Sequence, residues 1–325
     1  MVEREGTAVA TVLRIILAIV FQLIIRVVAV TFTRKIDFRA SLAPLGRWGD
    51  DLIDRFDGHR LVRSFRVSAD QPAVPFAADI PRQPSDRLDL DMNRPVSEGA
   101  TALVMATFVT QTDALRELRE RDGAIALLAE RYPGLVPVLI PDAFHALVRS
   151  ISAQQINLAF AARIRQRLAL AYGTRLEIGA DFVYVLRSDA LAAASVEDLR
   201  ALQLTYAKAR AVVATARAAT AGELDRDDLE RLDDEALIAH LTRLPGIGRW
   251  SAEWFLARTL GRPRVVAGDL GVRKAVGRLY DAGMPSETET RRLTEHWAGA
   301  ATVAQALALH DLAVSAGSTR TVPAP

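Results

Sequence analysis

The stretch LTRLPGIGRWSAEWF, residues 241–255, holds the residues whose types and spacing first suggest chemistry. Pro245, Gly246 and Gly248 interrupt a helical pattern, and a second helical pattern begins near Arg249. Proline fixes one backbone angle, and glycine permits backbone geometries that other residues resist. The first N–H groups of the second helix then face outward, where the helix dipole helps them to bind a phosphate. The same letters also fit an ordinary turn between two helices, so the turn alone leaves both interpretations open.

Two tryptophans and one aspartate follow this turn. Trp250 and Trp254 are four residues apart, so they share one face of the second helix. An electron-rich indole can stack on a flat cationic ring, but two tryptophans on a helix also commonly fill a core. Asp269 directly precedes the helical pattern LGVRKAVGRL, where a carboxylate caps free N–H groups. These side chains therefore predict either a pocket beside a fixed carboxylate or a core and a helix cap.

The composition excludes several kinds of site. The chain of 325 residues has no cysteine, which rules out disulfides, cysteine-ligated zinc, iron–sulfur clusters and thiol catalysis. Its five histidines occur singly, and no glycine-rich nucleotide-binding string is present. We therefore expect neither a metal centre nor a nucleotide cofactor.

Periodicity predicts a fold that is α+β at first and then all-α. RLVRSFRV at 60–67 and RLDLDM at 87–92 alternate apolar and polar residues, as strands do. From SEGATALVMATF at 97–108 onward the period is helical. Ser195 with Asp198 has the spacing of a capping box, and Asp233 is a candidate N-cap.

Charge is unevenly distributed in this chain of net charge +2. Residues 221–240 carry eight acidic and two basic side chains, whereas residues 241–280 carry eight basic and two acidic ones. A local basic face in a near-neutral chain indicates a polyanionic partner. The alternative is a solvated helix face, which charge alone favours.

LPGIGRWSAEWF followed by VVAGDLGVRK resembles the helix-hairpin-helix (HhH-GPD) DNA glycosylase superfamily. A second block, YPGLVPVLIPDAFHALVRSISAQQINLAFAARI at 132–164, is similar to bacterial DNA-3-methyladenine glycosylase II. The resemblance covers about residues 37–312. It implies an α+β fold: a small N-terminal mixed β/α domain followed by an all-α helix-hairpin-helix glycosylase domain in two helical lobes. It also implies double-stranded DNA with damaged bases as the partner.

The resemblance assigns roles to individual residues. Asp269 matches the catalytic aspartate at the mouth of the base pocket, and its capping role can coexist with catalysis. Trp250 and Trp254 would contact the flipped base, and Gln155 matches the wedge residue that fills the space left in the duplex. The hairpin residues implied to bind the DNA backbone are Leu244, Gly246, Ile247, Gly248, Arg249 and Ser251.

Trp250 also decides the expected reaction type. Strand-cutting members of the superfamily carry at this position a lysine that forms a Schiff base, and tryptophan cannot form an imine. The resemblance therefore implies a monofunctional enzyme that uses water, removes alkylated bases of the 3-methyladenine and 7-methylguanine type, and leaves an abasic site. It further implies no cofactor except a monovalent cation held by hairpin carbonyls.

The C-terminal part departs from the family pattern. Trp297 is present, but the Pro, aromatic residue and Arg that follow it in the family are absent from WAGAATVAQALALHDL. Leu309 falls near the position of a further pocket tryptophan. These departures leave open a second hypothesis, a non-catalytic DNA-binding or damage-sensing protein.

We divide the chain into an extension at 1–36, an N-terminal α+β domain at 37–130, the glycosylase domain at 131–315 and a disordered tail at 316–325. The apolar run at 8–32 is interrupted by arginines. It fits a membrane-associated helix, a buried helix or strand, or an extension with no role. We expect a cytoplasmic, nucleoid-associated monomer with membrane attachment only through this run.

Overall fold

The computed structural model describes residues 26–66, 71–93 and 98–318. An antiparallel sheet of five strands forms the N-terminal part, in the order β1–β5–β4–β3–β2. The strands are β1 Arg26–Ile36, β2 Arg55–Phe56, β3 Arg60–Phe65, β4 Val74–Asp79 and β5 Ser85–Met92. Strands β3 and β5 lie where the alternating patterns predict them.

The predicted start of the N-terminal domain at residue 37 is too late, because strand β1 already belongs to its sheet. It pairs with β5, with Val28 opposite Leu90 and Val30 opposite Leu88. Val30 is buried and Val27 is exposed, so the strand turns alternate residues toward the core. For residues 26–36 the strand interpretation therefore applies, while residues 1–25 lie outside the described residues. Within the described ranges, no helix has both the length and the apolarity needed to cross a bilayer.

Helices make up most of the remaining chain. The first six are α1 Phe38–Gly46, α2 Glu98–Ala106, α3 Thr112–Arg121, α4 Gly123–Arg131, α5 Ala143–Ala153 and α6 Leu158–Tyr172. The next five are α7 Ser188–Ala193, α8 Val196–Ala201, α9 Tyr206–Thr220, α10 Arg226–Arg231 and α11 Asp234–Thr242. The last are α12 Arg249–Arg258, α13 Leu270–Leu279, α14 Glu287–Thr294, a 3-10 turn Glu295–Ala300 and α15 Ala301–Ser318. The predicted capping box at Ser195 and the cap at Asp233 are both formed.

Two helical lobes are confirmed, each with its own apolar core. The first core joins α5 to α12 and includes Leu147, Leu168, Val212, Leu241 and Phe255. The second core joins α3 and α4 to α13 and α15, for example through Leu118, Ile125, Val276, Trp297 and Leu307.

Two predicted boundaries and the all-α description of the helical part differ in the structure. Helices α3 and α4 precede residue 131 but pack in the second lobe, because their apolar faces cover α13 and α15. The helical part is not purely α, since the hairpin of β6 Gly173–Ile178 and β7 Asp181–Leu186 lies in it and packs on Val62 and Ala77. Helix α15 continues to Ser318, and the rest of the predicted tail lies outside the described residues.

A buried ion network ties the N-terminal part to the first lobe. The Asp51 carboxylate, 1% exposed, accepts from Arg149 Nη1 and from Arg165 Nε, both at 2.8 Å. Beside it, Arg63 Nε donates to Asp54 Oδ1 at 2.7 Å. Burial acts to raise the pKa of Asp51, but Arg149 and Arg165 outweigh it and hold that pKa below its ordinary value. The ionised form of Asp51 therefore stabilises the fold.

We expect Asp51→Asn to lower the free energy of unfolding by about 3–5 kcal/mol at pH 7, because it leaves the buried Arg165 without its carboxylate and leaves Arg149 with only Asp54 at 3.5 Å. Since the pKa of Asp51 is lower in the folded state, its contribution is present above the ordinary value of 3.8 and is lost as the pH falls below it. Urea denaturation at pH 7 and at acid pH measures both effects.

The matched control is Asp50→Asn, because Asp50 is 42% exposed and pairs with Arg55 at 2.8 Å. This exposed pair should contribute no more than about 1 kcal/mol. Equal loss of stability in the two variants at pH 7 would contradict the role of Asp51.

Candidate functional site

The turn between α11 and α12 is anchored from inside and open to solvent outside. Ile247 is buried in the core of the first lobe, and Leu244 packs against the same core. Gly246 has φ +77°, and a Cβ added to it would lie 2.7 Å from the Ala211 Cβ on α9. Only glycine therefore fits here, for reasons of both conformation and space. Gly248, in contrast, is exposed, and a Cβ added to it would meet no described heavy atom within 4 Å.

The N-terminus of α12 presents free N–H groups at this turn. Gly248 is its N-cap, no side chain of the described residues caps the helix, and its first turn holds no acidic residue. Uncapped amides at the positive end of a helix dipole bind anions. The turn therefore has the geometry that its sequence predicts for a phosphate contact.

The loop between α5 and α6 is attached to this turn. Gln154 Nε2 donates to the Gly246 carbonyl at 2.8 Å and to Ser251 Oγ at 3.1 Å. Lys208 Nζ donates to the Gln154 carbonyl at 2.7 Å, which fixes the loop from the other side. Gln155 follows, exposed and in the left-handed region at φ +48°. The linking role of Gln154 was missed by sequence reasoning, although its amide neighbours the predicted wedge.

Asp269 brings α12 and α13 together. Its Oδ1 accepts from the Val272 backbone N–H at 3.0 Å, which caps α13. Its Oδ2 accepts from Trp250 Nε1 at 3.1 Å and from Trp254 Nε1 at 3.2 Å. Both tryptophans are partly buried, and their rings meet edge to face at 6.5 Å. The cap and the predicted site residues are therefore one arrangement.

Arg258 is a further member of this group that sequence reasoning missed. Its guanidinium carbon lies 5.2 Å from the centre of the Trp254 ring. Burial first and then Arg149 lower the pKa of Arg258 to about 10, while Asp269 acts to raise it. The side chain is therefore still a cation at neutral pH. The signal was the spacing, because Trp250, Trp254 and Arg258 recur every four residues along α12.

Residues 148–299 match the model of the family described as the HhH-GPD superfamily base excision DNA repair protein. The match places residues 148–299, just under half of the chain, in the HhH-GPD superfamily. The matched range begins in α5 and ends in the 3-10 turn, so it contains the turn, both indoles and Asp269.

Named relatives agree with this assignment. The chain is 28% identical over 184 residues to the DNA-3-methyladenine glycosylase of Bacillus subtilis, which covers 56% of this chain and 61% of that protein. It is 35% identical over 137 residues to DNA-3-methyladenine glycosylase 2 of Escherichia coli, covering 42% of this chain and 48% of that protein. The chain thus spans about half to three fifths of the length of these relatives.

One solved structure shows the same fold over more of the chain. The 3-methyladenine DNA-glycosylase of Archaeoglobus fulgidus matches with a TM-score of 0.73 and 22% identity. The match covers 87% of this chain and 96% of that one. The N-terminal sheet is therefore part of the shared architecture.

Ion pairs neutralise part of the basic run predicted at residues 241–280. Arg249 pairs with Glu235 at 2.9 Å and with Glu253 at 3.2 Å, and Arg264 contacts Asp234 at 3.1 Å. The acidic run before the hairpin therefore meets the basic run after it. These arginines are therefore paired with acidic side chains, which charge windows along a sequence cannot reveal because partners such as Glu235 lie on a neighbouring helix.

The buried Glu253 links the start of α12 to two other segments. Its carboxylate, 1% exposed, accepts at one oxygen from Arg249, Arg264 and Arg291, the last at 2.8 Å. These arginines come from α12, from the loop before α13, and from α14. A single buried carboxylate thus fixes three segments around the two indoles.

Trp297 and Leu309, the two residues singled out in the altered C-terminal segment, lie in different surroundings. Trp297 is buried in the second core, where its Nε1 donates to the Tyr280 hydroxyl at 2.7 Å. Leu309 lies beside the start of α13, since a Cβ on Gly271 would be 3.5 Å from its Cδ2. Leu309 is thus close to Asp269, at the place where the resemblance implies a tryptophan.

A separate cavity among the described residues lies in a different part of the molecule. It measures about 610 Å³ and is lined by residues such as Asp54, Arg63 and His145 near the start of α5. Neither indole nor Asp269 lines it. In the described ranges, no group of three or more His, Asp or Glu side chains is placed to hold a metal ion.

The two hairpin glycines offer a matched test of this geometry. We expect Gly246→Ala to lower the free energy of unfolding by about 1–3 kcal/mol, because it adds left-handed strain and a clash with Ala211. Gly248→Ala should change it by less than about 0.5 kcal/mol, because φ is −100° and the space is open. Chemical denaturation of both variants checks this, and equal stabilities would contradict the described packing.

Proposed function

We propose that this chain is a monofunctional DNA glycosylase of base excision repair. It would flip alkylated bases of the 3-methyladenine and 7-methylguanine type out of duplex DNA, hydrolyse the N-glycosidic bond and leave an abasic site. The observation that carries this proposal is the Asp269 carboxylate, held by a helix cap and by two indole N–H groups. Those indoles belong to the helix that begins directly after the hairpin with free amides.

The Asp269 carboxylate suits the charge that glycoside hydrolysis develops. As the bond to the base breaks, positive charge builds on the sugar, and a fixed carboxylate stabilises it without reorganising. Water then attacks the anomeric carbon and can pass its proton to the same group. An alkylated purine is already cationic and departs readily, so it needs little acid catalysis.

The two indoles serve both the carboxylate and the base. Their N–H edges donate to Asp269 Oδ2, so these hydrogen bonds leave the electron-rich ring faces for a flat ring, apart from the face of Trp254 that Arg258 covers. A base extruded from the stack is commonly read by aromatic side chains of this kind. We therefore assign Trp250 and Trp254 to the base pocket.

The DNA contacts follow from the hairpin and the loop beside it. Backbone amides around Gly246, Gly248 and Ser251 would bind a phosphate without reading sequence. Gln155 is exposed on the loop that Gln154 fixes to the hairpin, a position suited to filling the gap left by the flipped base. We infer a monomer bound to duplex DNA in the cytoplasm. A monovalent cation at the hairpin carbonyls stays a prediction, and one of these carbonyls already accepts from Gln154.

We expect Asp269→Asn to reduce the release of 3-methyladenine from methylated duplex DNA by at least about a thousandfold, because the negative charge is lost while the cap is kept. Affinity for abasic-site duplex should stay within a few-fold. Single-turnover base release and fluorescence anisotropy measure the two quantities. Base release by the variant at the wild-type rate would exclude Asp269 from catalysis, and a wild-type protein that releases no base would favour a non-catalytic DNA-binding protein.

Trp250 predicts the fate of the DNA strand. Because no amine occupies this position, borohydride should trap no covalent protein–DNA adduct during base release. The product strand should break only after heat or alkali treatment. Denaturing gels with a known glycosylase/lyase as a positive control test this, and a trapped adduct would show that the enzyme is bifunctional.

A further inference from the structure

Arg258 is a partly buried cation that pairs with no residue in the described parts of the chain. Within those parts its guanidinium makes no hydrogen bond or ion pair, and it lies against the Trp254 ring at 5.2 Å. Arg149, which repels it, is in contrast paired with Asp51 at 2.8 Å. An uncompensated charge in a low-dielectric place is costly. The donors of Arg258 are therefore available to a ligand.

The charges around Arg258 leave its donors unused. Arg149 repels it but is already held by Asp51 and Asp54. Asp269 attracts it, yet both oxygens of that carboxylate accept from other N–H groups. The guanidinium thus brings its N–H donors to the face of Trp254, which is assigned to the proposed base pocket.

We propose that Arg258 is a specificity-determining residue that donates a hydrogen bond to a carbonyl oxygen of the flipped base. This inference rests on the proposed glycosylase function. Its hydrogen bond would assist the release of neutral damaged purines that carry such an oxygen, and it would not assist cationic bases, which the guanidinium repels.

The chemistry of a neutral leaving base explains why a cation is useful. When the bond between C1′ and N9 breaks, both electrons go to N9, and a neutral base departs as an anion whose charge is shared with its carbonyl oxygen. A guanidinium N–H that donates to this oxygen stabilises the anion. Water adds to C1′ and gives one proton to Asp269, and the base anion takes a proton from solvent. A cationic base departs as a neutral molecule and gains nothing from Arg258.

The test compares two bases on one enzyme. Hypoxanthine is neutral and carries a carbonyl oxygen, whereas 3-methyladenine is cationic in DNA and carries none. We expect Arg258→Met, which keeps length and apolar contact, to slow single-turnover release of hypoxanthine about tenfold or more, because a charge-assisted hydrogen bond is lost. Release of 3-methyladenine should be unchanged or faster.

The control is Lys274→Met, which removes one exposed positive charge from α13. It should change both rates by the same small factor. Circular dichroism checks the fold of each variant. If the Arg258→Met variant does not fold, Arg258→Lys is tested in its place. Lysine keeps the positive charge over Trp254 but lacks the planar set of donors. This variant should also slow hypoxanthine release more than 3-methyladenine release.

The outcomes separate this inference from the proposed function. A wild-type enzyme that releases 3-methyladenine but no hypoxanthine would overturn the role of Arg258 and leave the glycosylase proposal intact. A folded Arg258 variant that slows both releases equally would do the same, because the residue would then only support Trp254. A wild-type enzyme that releases neither base would overturn the proposed function itself.

Discussion

The hydrogen bonds of the Asp269 carboxylate join two lobes that otherwise have separate cores. Trp250 and Trp254 belong to α12 of the first lobe, and Val272 belongs to α13 of the second. A carboxylate that accepts from both sides has little freedom to rotate, so it can stabilise charge without first reorganising. Other contacts have to fix the position of one lobe relative to the other, because the helix cap is local to α13 and cannot do this alone.

Ion pairs fix this relative position of the lobes. They involve most of the charged side chains near the hairpin. Glu253 fixes α12, the loop before α13, and α14 through three arginines, while Asp51 fixes α5 and α6 to the N-terminal part. A buried pair adds little net stability over apolar packing, but losing one partner is costly. These networks therefore act mainly by enforcing one arrangement. Arg258 stands apart from them, since it lies on the same helix as Glu253 and pairs with no described residue.

The sequence predicted what local rules decide and missed what distant contacts decide. The start of α12 at Arg249 and the cap at Asp269 follow from Pro, Gly and Asp at short range, and both are present. The secondary structure of the apolar run that leads into β1 could not be predicted in this way. Periodicity does not separate a helix from a strand here, because the partner strand β5 comes much later in the chain. Likewise, α3 and α4 join the second lobe through contacts with α13 and α15, and the link from Gln154 to Gly246 spans 92 positions. None of these contacts leaves a short-range signal.

The altered C-terminal segment and Arg258 bear on the same question, which is how the proposed pocket would recognise a base. Leu309 stands beside Gly271 where the resemblance implies a tryptophan, so that side of the pocket offers an apolar surface without a π face. Recognition by stacking alone is then reduced to the two indoles of α12. A hydrogen-bonding cation next to Trp254 supplies a different kind of selectivity, because a donor distinguishes bases by their acceptor atoms and not by their flatness. The loss of one aromatic, together with a guanidinium that no described residue neutralises, is thus consistent with a pocket that relies less on stacking and more on polar contact.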